Sequence, residues 1–343
     1  MGNDIVTLQQ IADKVGVSKM TVSNALRGRP NASAALKAKI SAVAEEMGYM
    51  RNPAVSQLMS YLSGRRRSSA FQGTIALINP SRNRDLMKQE VALRQFETGA
   101  HTRAQELGYR IEKFWYYEPK TTPRRLAAIL KARGIEGIVL SSAGEAETIF
   151  EFDHASFSFV TVGDTIVEPK VNRVMEYHFN NCVFLLERLR KLQYRKVGFA
   201  FSARLQQIHA MRHKAAALSY YSGIRPAERC PIFEYGAWDH ERFIRWYRRN
   251  KPEVVVSNDS DAYESLLAEG YKIPSEVGFA HLSLLVAGKV SGIRLHFGLL
   301  GRTAVDILVG QLHRREIGVP AVPQIVKVEG AWHLGETVRR PGR

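Results

Sequence analysis

Thr7-Leu8-Gln9-Gln10-Ile11-Ala12-Asp13-Lys14-Val15-Gly16-Val17-Ser18-Lys19-Met20-Thr21-Val22-Ser23-Asn24-Ala25-Leu26 decides how the start of this chain folds. Thr7 with Gln10 three residues on is a capping-box pattern, so a helix is expected to begin at Leu8. Leu8, Ile11, Ala12 and Val15 form one apolar stripe at helical spacing. Gly16 can take the positive φ that stops this helix. Ser18 is a good N-cap for a second helix. Val22, Ala25 and Leu26 of that helix point inward with Val17, which leaves Lys19, Met20, Thr21, Ser23, Asn24 and Arg27 outward. Gly28 and Pro30 end it. A third helix is expected from Ser33, with Leu36, Ile40, Val43 and Met47 on its buried side and Gly48 closing it. Three short helices with an exposed polar face on the second make a helix-turn-helix, the geometry that enters a DNA major groove. The pattern also fits any small three-helix bundle with a solvated face.

The stretches Val6–Gly28, Asn31–Tyr49 and Arg51–Met59 closely resemble the DNA-binding headpiece of the lactose-repressor (LacI/GalR) family of bacterial transcription regulators. The resemblance implies that Lys19, Met20 and Asn24 read base edges. Lys can donate to guanine O6/N7, Asn can pair with adenine N6/N7, and Met offers an apolar contact. It further implies that Thr7, Ser18, Thr21 and Ser23 hold phosphates and set register. Leu36 departs from the family's phosphate-contacting Thr. The segment Asn52–Met59 resembles the family's hinge helix, with Asn52 and Val55 in the minor groove and Leu58 as the wedge that unstacks a base step. The competing reading of Leu58 is packing in the headpiece core. Val55, Leu58, Met59 and Leu62 continue a helical stripe up to Gly64, so a hinge helix about one turn longer than usual is expected. The Arg65–Arg67 run that follows is read either as phosphate-contacting or as solvated.

The 343 residues allow this headpiece plus a two-lobed domain. Formal net charge is +16. Residues 1–67 carry ten Lys/Arg and four Asp/Glu, or +6, and the remainder carries +10. Such a balance suits a polyanionic partner. Two cysteines, Cys182 and Cys230, imply no disulfide framework. The N-terminus has no apolar signal-peptide region and no apolar run is long enough for a membrane span, so a cytoplasmic location is expected.

From Gly73 strands and helices alternate. Strands are expected at 74–78, 109–115, 137–140, 159–163, 175–179, 196–201, 254–257 and 277–280. Helices are expected at 86–107, 123–133, 180–192, 207–222 and 260–269. This alternation implies parallel sheets with helices on both faces. Two such series make two Rossmann-like lobes with a ligand cleft at the strand carboxyl ends. The core resembles the periplasmic-binding-protein-like core of the same family, with Val254–Asp259 matching a family strand end and Leu299–Leu312 matching the return into the first lobe. The expected organisation is an all-α helix-turn-helix headpiece (1–50), a hinge helix and basic linker (51–72), and a two-lobed α/β core (73–343). Lobe 1 is placed at about 73–166 plus 293–322, and lobe 2 at about 167–292 plus 323–338.

In the family, an Arg after the second lobe's first strand binds an effector, and Arg212 is the match. Its other reading is a structural ion pair. Asn258 and Asp259 end a cleft strand, and Asp259 also suits a helix cap. Trp238 lies where sugar-binding relatives stack a ring, or it is core. The strand Val277–His281 lacks the family's acid, and Tyr177-His178 displaces the usual Asp. Without those carboxylates a sugar loses its strongest acceptors. The replacements His178, His281 and Arg212 suit an anionic ligand or none, so a simple hexose sensor is not expected. His209 and His213, at i and i+4, are a faint zinc pattern and are read instead as a solvated or cleft-lining pair, so no metal site is assigned. No Gly-x-Gly-x-x-Gly fingerprint follows a strand, so no nucleotide cofactor is expected, and no nucleophile–base set points to an enzyme. The resemblance therefore implies a DNA-binding regulator, a repressor rather than an activator. It would act as a homodimer on a pseudo-palindromic double-stranded operator, modulated by a small-molecule effector that is sugar-derived or anionic. Its rivals are an effector-independent regulator of the same family and a transport-type solute-binding protein, the latter disfavoured by the headpiece.

Overall fold

The structure is a computed structural model that describes residues 8–26, 33–47 and 71–340. The chain divides into two compact units, Met1–Ala70 and Phe71–Arg343.

The described part of the first unit is three helices, α1 (Leu8–Val15), α2 (Lys19–Leu26) and α3 (Ala34–Glu46). The start of α1 at Leu8 is the one the Thr7/Gln10 spacing predicts. Gly16 ends α1 with φ +79°, a left-handed conformation that costs glycine little. Ser18 and Ser33 cap the next two helices: Ser18 Oγ accepts from Thr21 N (3.1 Å) and Ser33 Oγ from Leu36 N (3.3 Å). Ile11, Ala12, Val22, Ala25, Ile40 and Ala44 make the small core. Leu36 packs against that core, so the family's polar contact at this position is replaced by an apolar one.

The second unit holds two six-stranded sheets. In the first lobe lie β1 (Gly73–Asn79), α4 (Leu86–Gln89), α5 (Val91–Glu106), β2 (Tyr109–Trp115), α6 (Pro123–Ala132), β3 (Gly137–Leu140), the short β4 (Thr148–Ile149), β5 (Ser158–Val162), the short β6 (Ile166–Glu168) and β7 (Asn172–Glu176). The chain then enters the second lobe. There it forms α7 (His178–Lys191), β8 (Val197–Ser202), α8 (Ala203–Ile208), α9 (Arg212–Ser222), β9 (Phe233–Tyr235), α10 (His240–Asn250), β10 (Val254–Ser257), α11 (Asp261–Ala268), β11 (Gly278–Leu284) and β12 (Ser291–Arg294). It returns to the first lobe as α12 (Phe297–Arg314) and β13 (Ile325–Val328), and crosses once more to β14 (Ala331–His333).

The first sheet runs β13-β7-β5-β3-β1-β2, parallel throughout. Residues alternate across a strand, so Ile75 and Leu77 face α5 and α12 while Ala76 and Ile78 face α6. The helices α5 and α12 meet backbone to backbone. A Cβ on Gly301 would lie 2.1 Å from Phe96 O, and one on Gly99 would lie 1.9 Å from Gly298 O. The second sheet runs β14-β12-β11-β10-β8-β9, with only β14 antiparallel. Its helices α7 and α9 cover Phe199, Phe201, Val254 and Val256, and α10 and α11 cover Ala200, Val255 and Phe279.

Several sequence expectations change. The strand expected at 175–179 is Asn172–Glu176, and His178 already begins a helix. That strand pairs with β5, so it closes the first sheet instead of opening the second. Its polar alternation hid it, because only Val174 and Met175 are apolar. Likewise Ile325–Val328 joins the first sheet and Ser291–Arg294 the second, which shifts the expected lobe limits. The expected helix 86–107 breaks at the extended Glu90. The helix 207–222 breaks at His209–Met211, where Ala210 and Met211 take φ of +47° and +58°.

Candidate functional site: a reading helix and an interlobe cavity

Two surfaces carry chemistry, one in each unit. In the first unit, Lys19 and Met20 open α2 and are exposed, Met20 at 68%. An exposed Met beside a Lys on a short helix has no packing role, which leaves it free to meet a partner. Ser18 Oγ lies 2.8 Å from Thr21 Oγ1, so both hydroxyls sit at the helix N-terminus beside Lys19. Backbone N–H groups at such a terminus favour a phosphate. Ser23 and Asn24 belong to α2, but their side chains lie outside the described residues, as do Thr7, Asn52, Val55, Leu58 and Arg65–Arg67.

In the second unit a cavity of roughly 210 Å³ opens where the strands of the first lobe end. Asp164 and Thr165 after β5 and Glu176 at the end of β7 contribute from the first lobe, and His178, Arg204 and His209 from the second. Leu86, Leu93, Phe96 and Phe297 form its apolar wall. Parallel strands deliver ligand-facing residues at their carboxyl ends, and here that rule selects Asp164 and Glu176.

Among the described residues, three side-chain hydrogen bonds cross between the lobes. Arg212 Nη1 donates a charge-assisted hydrogen bond to Asp164 Oδ2. Arg204 Nη2 donates to Gly144 O (3.3 Å), and Gln95 Nε2 donates to Leu285 O (3.2 Å). Arg173 Nη1 flanks Asp164 at 3.7 Å. Burial raises the Asp164 carboxyl, and Arg212 and Arg173 oppose that shift. Arg212 therefore takes the ion-pair reading in this arrangement of the lobes.

Three imidazoles converge at the cavity, His178 and His209 on its wall and His213 buried behind them. The His178 and His209 rings stack with centroids 4.1 Å apart, and His213 meets them edge-on at 4.9 and 5.2 Å. One ring nitrogen from each lies within 4.8 Å of the others. The Nδ1 atoms of His178 and His209 and both ring nitrogens of His213 are buried without a hydrogen-bond partner among the described residues. Burial pushes all three imidazoles down, His209 to about 4, and does the same for His281, also to about 4. Glu176 Oε2 lies 3.8 Å from His178 Nε2, and burial raises its carboxyl to about 7. Desolvation thus disfavours the charged form of these histidines, so Arg204 supplies the cationic side of the cavity wall.

The remaining sequence candidates separate from this cavity. Trp238 donates from Nε1 to Ser265 Oγ (3.1 Å) and packs edge-on against Tyr235 and Phe233, so it belongs to an aromatic cluster and is not on the cavity wall. Asn258 is buried, with Oδ1 accepting from Ser202 N (3.2 Å). Asp259 accepts from the Tyr235 hydroxyl and from Ser257 Oγ (3.2 Å). His281 Nδ1 accepts from Ser283 N (2.9 Å). Sequence reasoning missed Asp164 and Glu176. It looked for acids in Val277–His281 and at Tyr177-His178, one residue past Glu176, and an acid just past the Val160–Gly163 run was the available signal for Asp164.

A helix-turn-helix unit followed by two Rossmann-like lobes defines a class of two-part proteins with a DNA-binding headpiece and a periplasmic-binding-protein-like core. The family model for bacterial regulatory proteins of the lacI family matches residues 7–52. The HTH-type transcriptional regulator GntR of Escherichia coli (strain K12) is 33% identical over 135 residues, 39% of this chain and 36% of that protein. The match thus spans about a third of the length of that curated relative. The lac repressor dimer bound to operator and the anti-inducer ONPF superposes with a TM-score of 0.56 at 17% identity, covering 98% of this chain and 100% of that one. The transcriptional regulator CelR–cellobiose complex gives 0.55 at 16%, covering 97% and 99%. A LacI-family regulator from Silicibacter pomeroyi gives 0.51 at 20%, covering 98% and 100%. The lacI-family likeness of sequence is thus carried by the N-terminal domain, and the fold is similar to that of these solved regulators.

Proposed function

We propose that this protein is a sequence-specific DNA-binding transcriptional regulator, a repressor that binds a pseudo-palindromic operator as a homodimer. The observation that carries the reading is the exposed Lys19–Met20 start of α2 within a domain matching the lacI family model. In this reading Lys19, Met20 and Asn24 select bases, and Thr7, Ser18, Thr21 and Ser23 hold the backbone. Asn52, Val55 and Leu58 act in the minor groove, where an apolar wedge exchanges base stacking for more contact on bent DNA. The chain is no enzyme and works in the cytoplasm.

The core then serves as the sensor. An effector in the interlobe cavity shifts the lobes only through a difference in affinity between their two arrangements. The Arg212–Asp164 pair belongs to the arrangement seen here, so a ligand that competes for either partner biases the other. Asp164 and Glu176 bring carboxylate acceptors to the cavity, which a hydroxyl-bearing ligand can use. His178, Arg212, Asn258, Asp259 and His281 stay as candidates for effector contact or its support. Trp238 fits support alone, through the aromatic cluster.

Selection of bound sites from random DNA tests the reading. The expected result is a palindrome centred on a flexible step. Lys19→Ala and Met20→Ala should each change base preference at defined positions by about 1–3 kcal/mol, while Leu58→Ala should weaken binding to every site. Unchanged preference in both α2 variants would remove the assigned reading face.

A further inference from the structure

The buried imidazole triad has no role in the reading above. We infer that His178, His209 and His213 form a binding site for a divalent first-row transition-metal ion, and that this ion is the effector of the core.

Four observations carry the inference. The three rings come from separate segments: the first turn of α7, the residue after α8, and α9. Their convergence is therefore a product of the fold and not of helical spacing. The four unpartnered ring nitrogens need an explanation, since buried polar groups are nearly always hydrogen-bonded. A stacked His178–His209 pair supplies no hydrogen bond between the rings, whereas a shared cation satisfies one nitrogen of each.

The third observation is the backbone. Ala210 and Met211, between two of the rings, both sit in the left-handed region. Non-glycine residues held there gather at functional sites, and here the two conformations turn His209 back toward His213. The fourth is position: His178 and His209 line the cavity, so the triad adjoins it although its free ring nitrogens are buried.

The donor set selects the ion. Neutral imidazoles suit zinc, copper, nickel and iron, whereas magnesium and calcium require oxygen ligands. Three nitrogens at ~2.1 Å from a tetrahedral ion lie about 3.4 Å apart. Sharing one ion requires His178 and His209 to rotate out of their near-parallel stack, because each imidazole nitrogen donates in its ring plane, and brings the nitrogens in from their present 4.8 Å limit. Glu176 lines the cavity with its carboxyl 3.8 Å from His178 Nε2, which makes it the oxygen donor available to complete the set. Since Glu176 belongs to the first lobe and the rings to the second, a bound ion draws the lobes together. Arg212, next to His213, feels the same charge through its pair with Asp164.

The effector role rests on the regulator reading; the ion site does not. The test therefore has two arms on the full-length protein. In the first, Co²⁺ is titrated into metal-free protein and its visible d–d absorption is followed, with Zn²⁺ competition and equilibrium dialysis. One ion per chain with a tetrahedral spectrum is expected. His209→Gln and His213→Gln should each weaken binding by at least about 100-fold, the upper range for losing a group that orients a ligand, let alone a ligand itself. Thermal unfolding of the metal-free variants shows whether they fold. His209→Gln, at the cavity wall, is the milder change. Binding below one ion per chain, or unaffected in folded His209→Gln, overturns the site.

In the second arm, binding to a selected operator is measured with Zn²⁺ and with chelator. A change of at least tenfold in the wild type, absent in His209→Gln, supports the effector role. Stoichiometric metal uptake with unchanged operator affinity overturns that role and leaves the site. Failure to select any DNA overturns the regulator reading, while the cobalt spectrum still decides the site.

Discussion

Arg212 is the residue on which the two lobes depend most directly. Its guanidinium reaches a carboxylate that is 7% exposed, and Arg173 stands 3.7 Å away. Removing one partner of a buried pair leaves an uncompensated charge. Arg212→Met should therefore lower core stability by about 3 kcal/mol in urea unfolding. At the other end of the chain, Ser33 caps α3 through Leu36 N. Ser33→Ala should cost the headpiece about 1 kcal/mol, read from its helical signal on heating. Of the residues the sequence singled out, those with local logic are where they were expected. Ser18, Ser33 and Gly16 act within a turn of chain, and their neighbours suffice to read them. His178 joins His209 and His213 only through the fold, so no spacing rule could have united them. Of the two readings of Trp238 its partners Tyr235, Phe233 and Ser265 favour the core one, and those partners were invisible in sequence.

At the scale of elements, the crossing of α5 and α12 is the tightest contact in the first lobe. Phe96 O and Gly298 O occupy the space where side chains would stand on Gly301 and Gly99. Gly301→Ala should force the helices apart and destabilise the core by about 3 kcal/mol, because a backbone atom cannot turn aside as a side chain can. A chemical denaturation curve with an unshifted midpoint would refute this. Strands buried on both faces were the most legible elements. Gly137–Leu140 and Val254–Ser257 have the bounds their apolar runs and flanking turns dictate, and the half-buried edge strand Tyr109–Trp115 also has its expected bounds. The edge strand Ile325–Val328 and the short Phe233–Tyr235 were not, since partners rather than composition make them strands. Helix His240–Asn250 carried a readable signal in Asp239 as N-cap and Phe243, Ile244 and Tyr247 on one face.

At the scale of the whole molecule, the chain passes between the lobes three times: after Glu176, after Arg294 and after Val328. Three short crossings confine the lobes to hinge-like movement, which is the repertoire a two-state sensor needs. The last crossing is pinned where Gly330 N donates to Asn181 Oδ1 (2.9 Å), and a Cβ there would meet Ile293 Cγ2 at 2.3 Å. Motion is therefore concentrated in the rotation of whole lobes and not in loosening of this joint.

The shielding of Asp164 has a consequence for ionic strength. Buried pairs are screened little by dissolved ions, whereas phosphate contacts release counterions and weaken steeply as salt rises. The two halves of the protein should therefore answer differently to the same change of buffer. Between 50 and 200 mM salt, operator affinity should fall with a log–log slope near −0.9 for each phosphate neutralised. The stability contributed by Arg212 and Asp164, measured as the Arg212→Met difference, should hardly move. Salt would then tune how firmly the protein holds DNA while leaving untouched the threshold at which its lobes part.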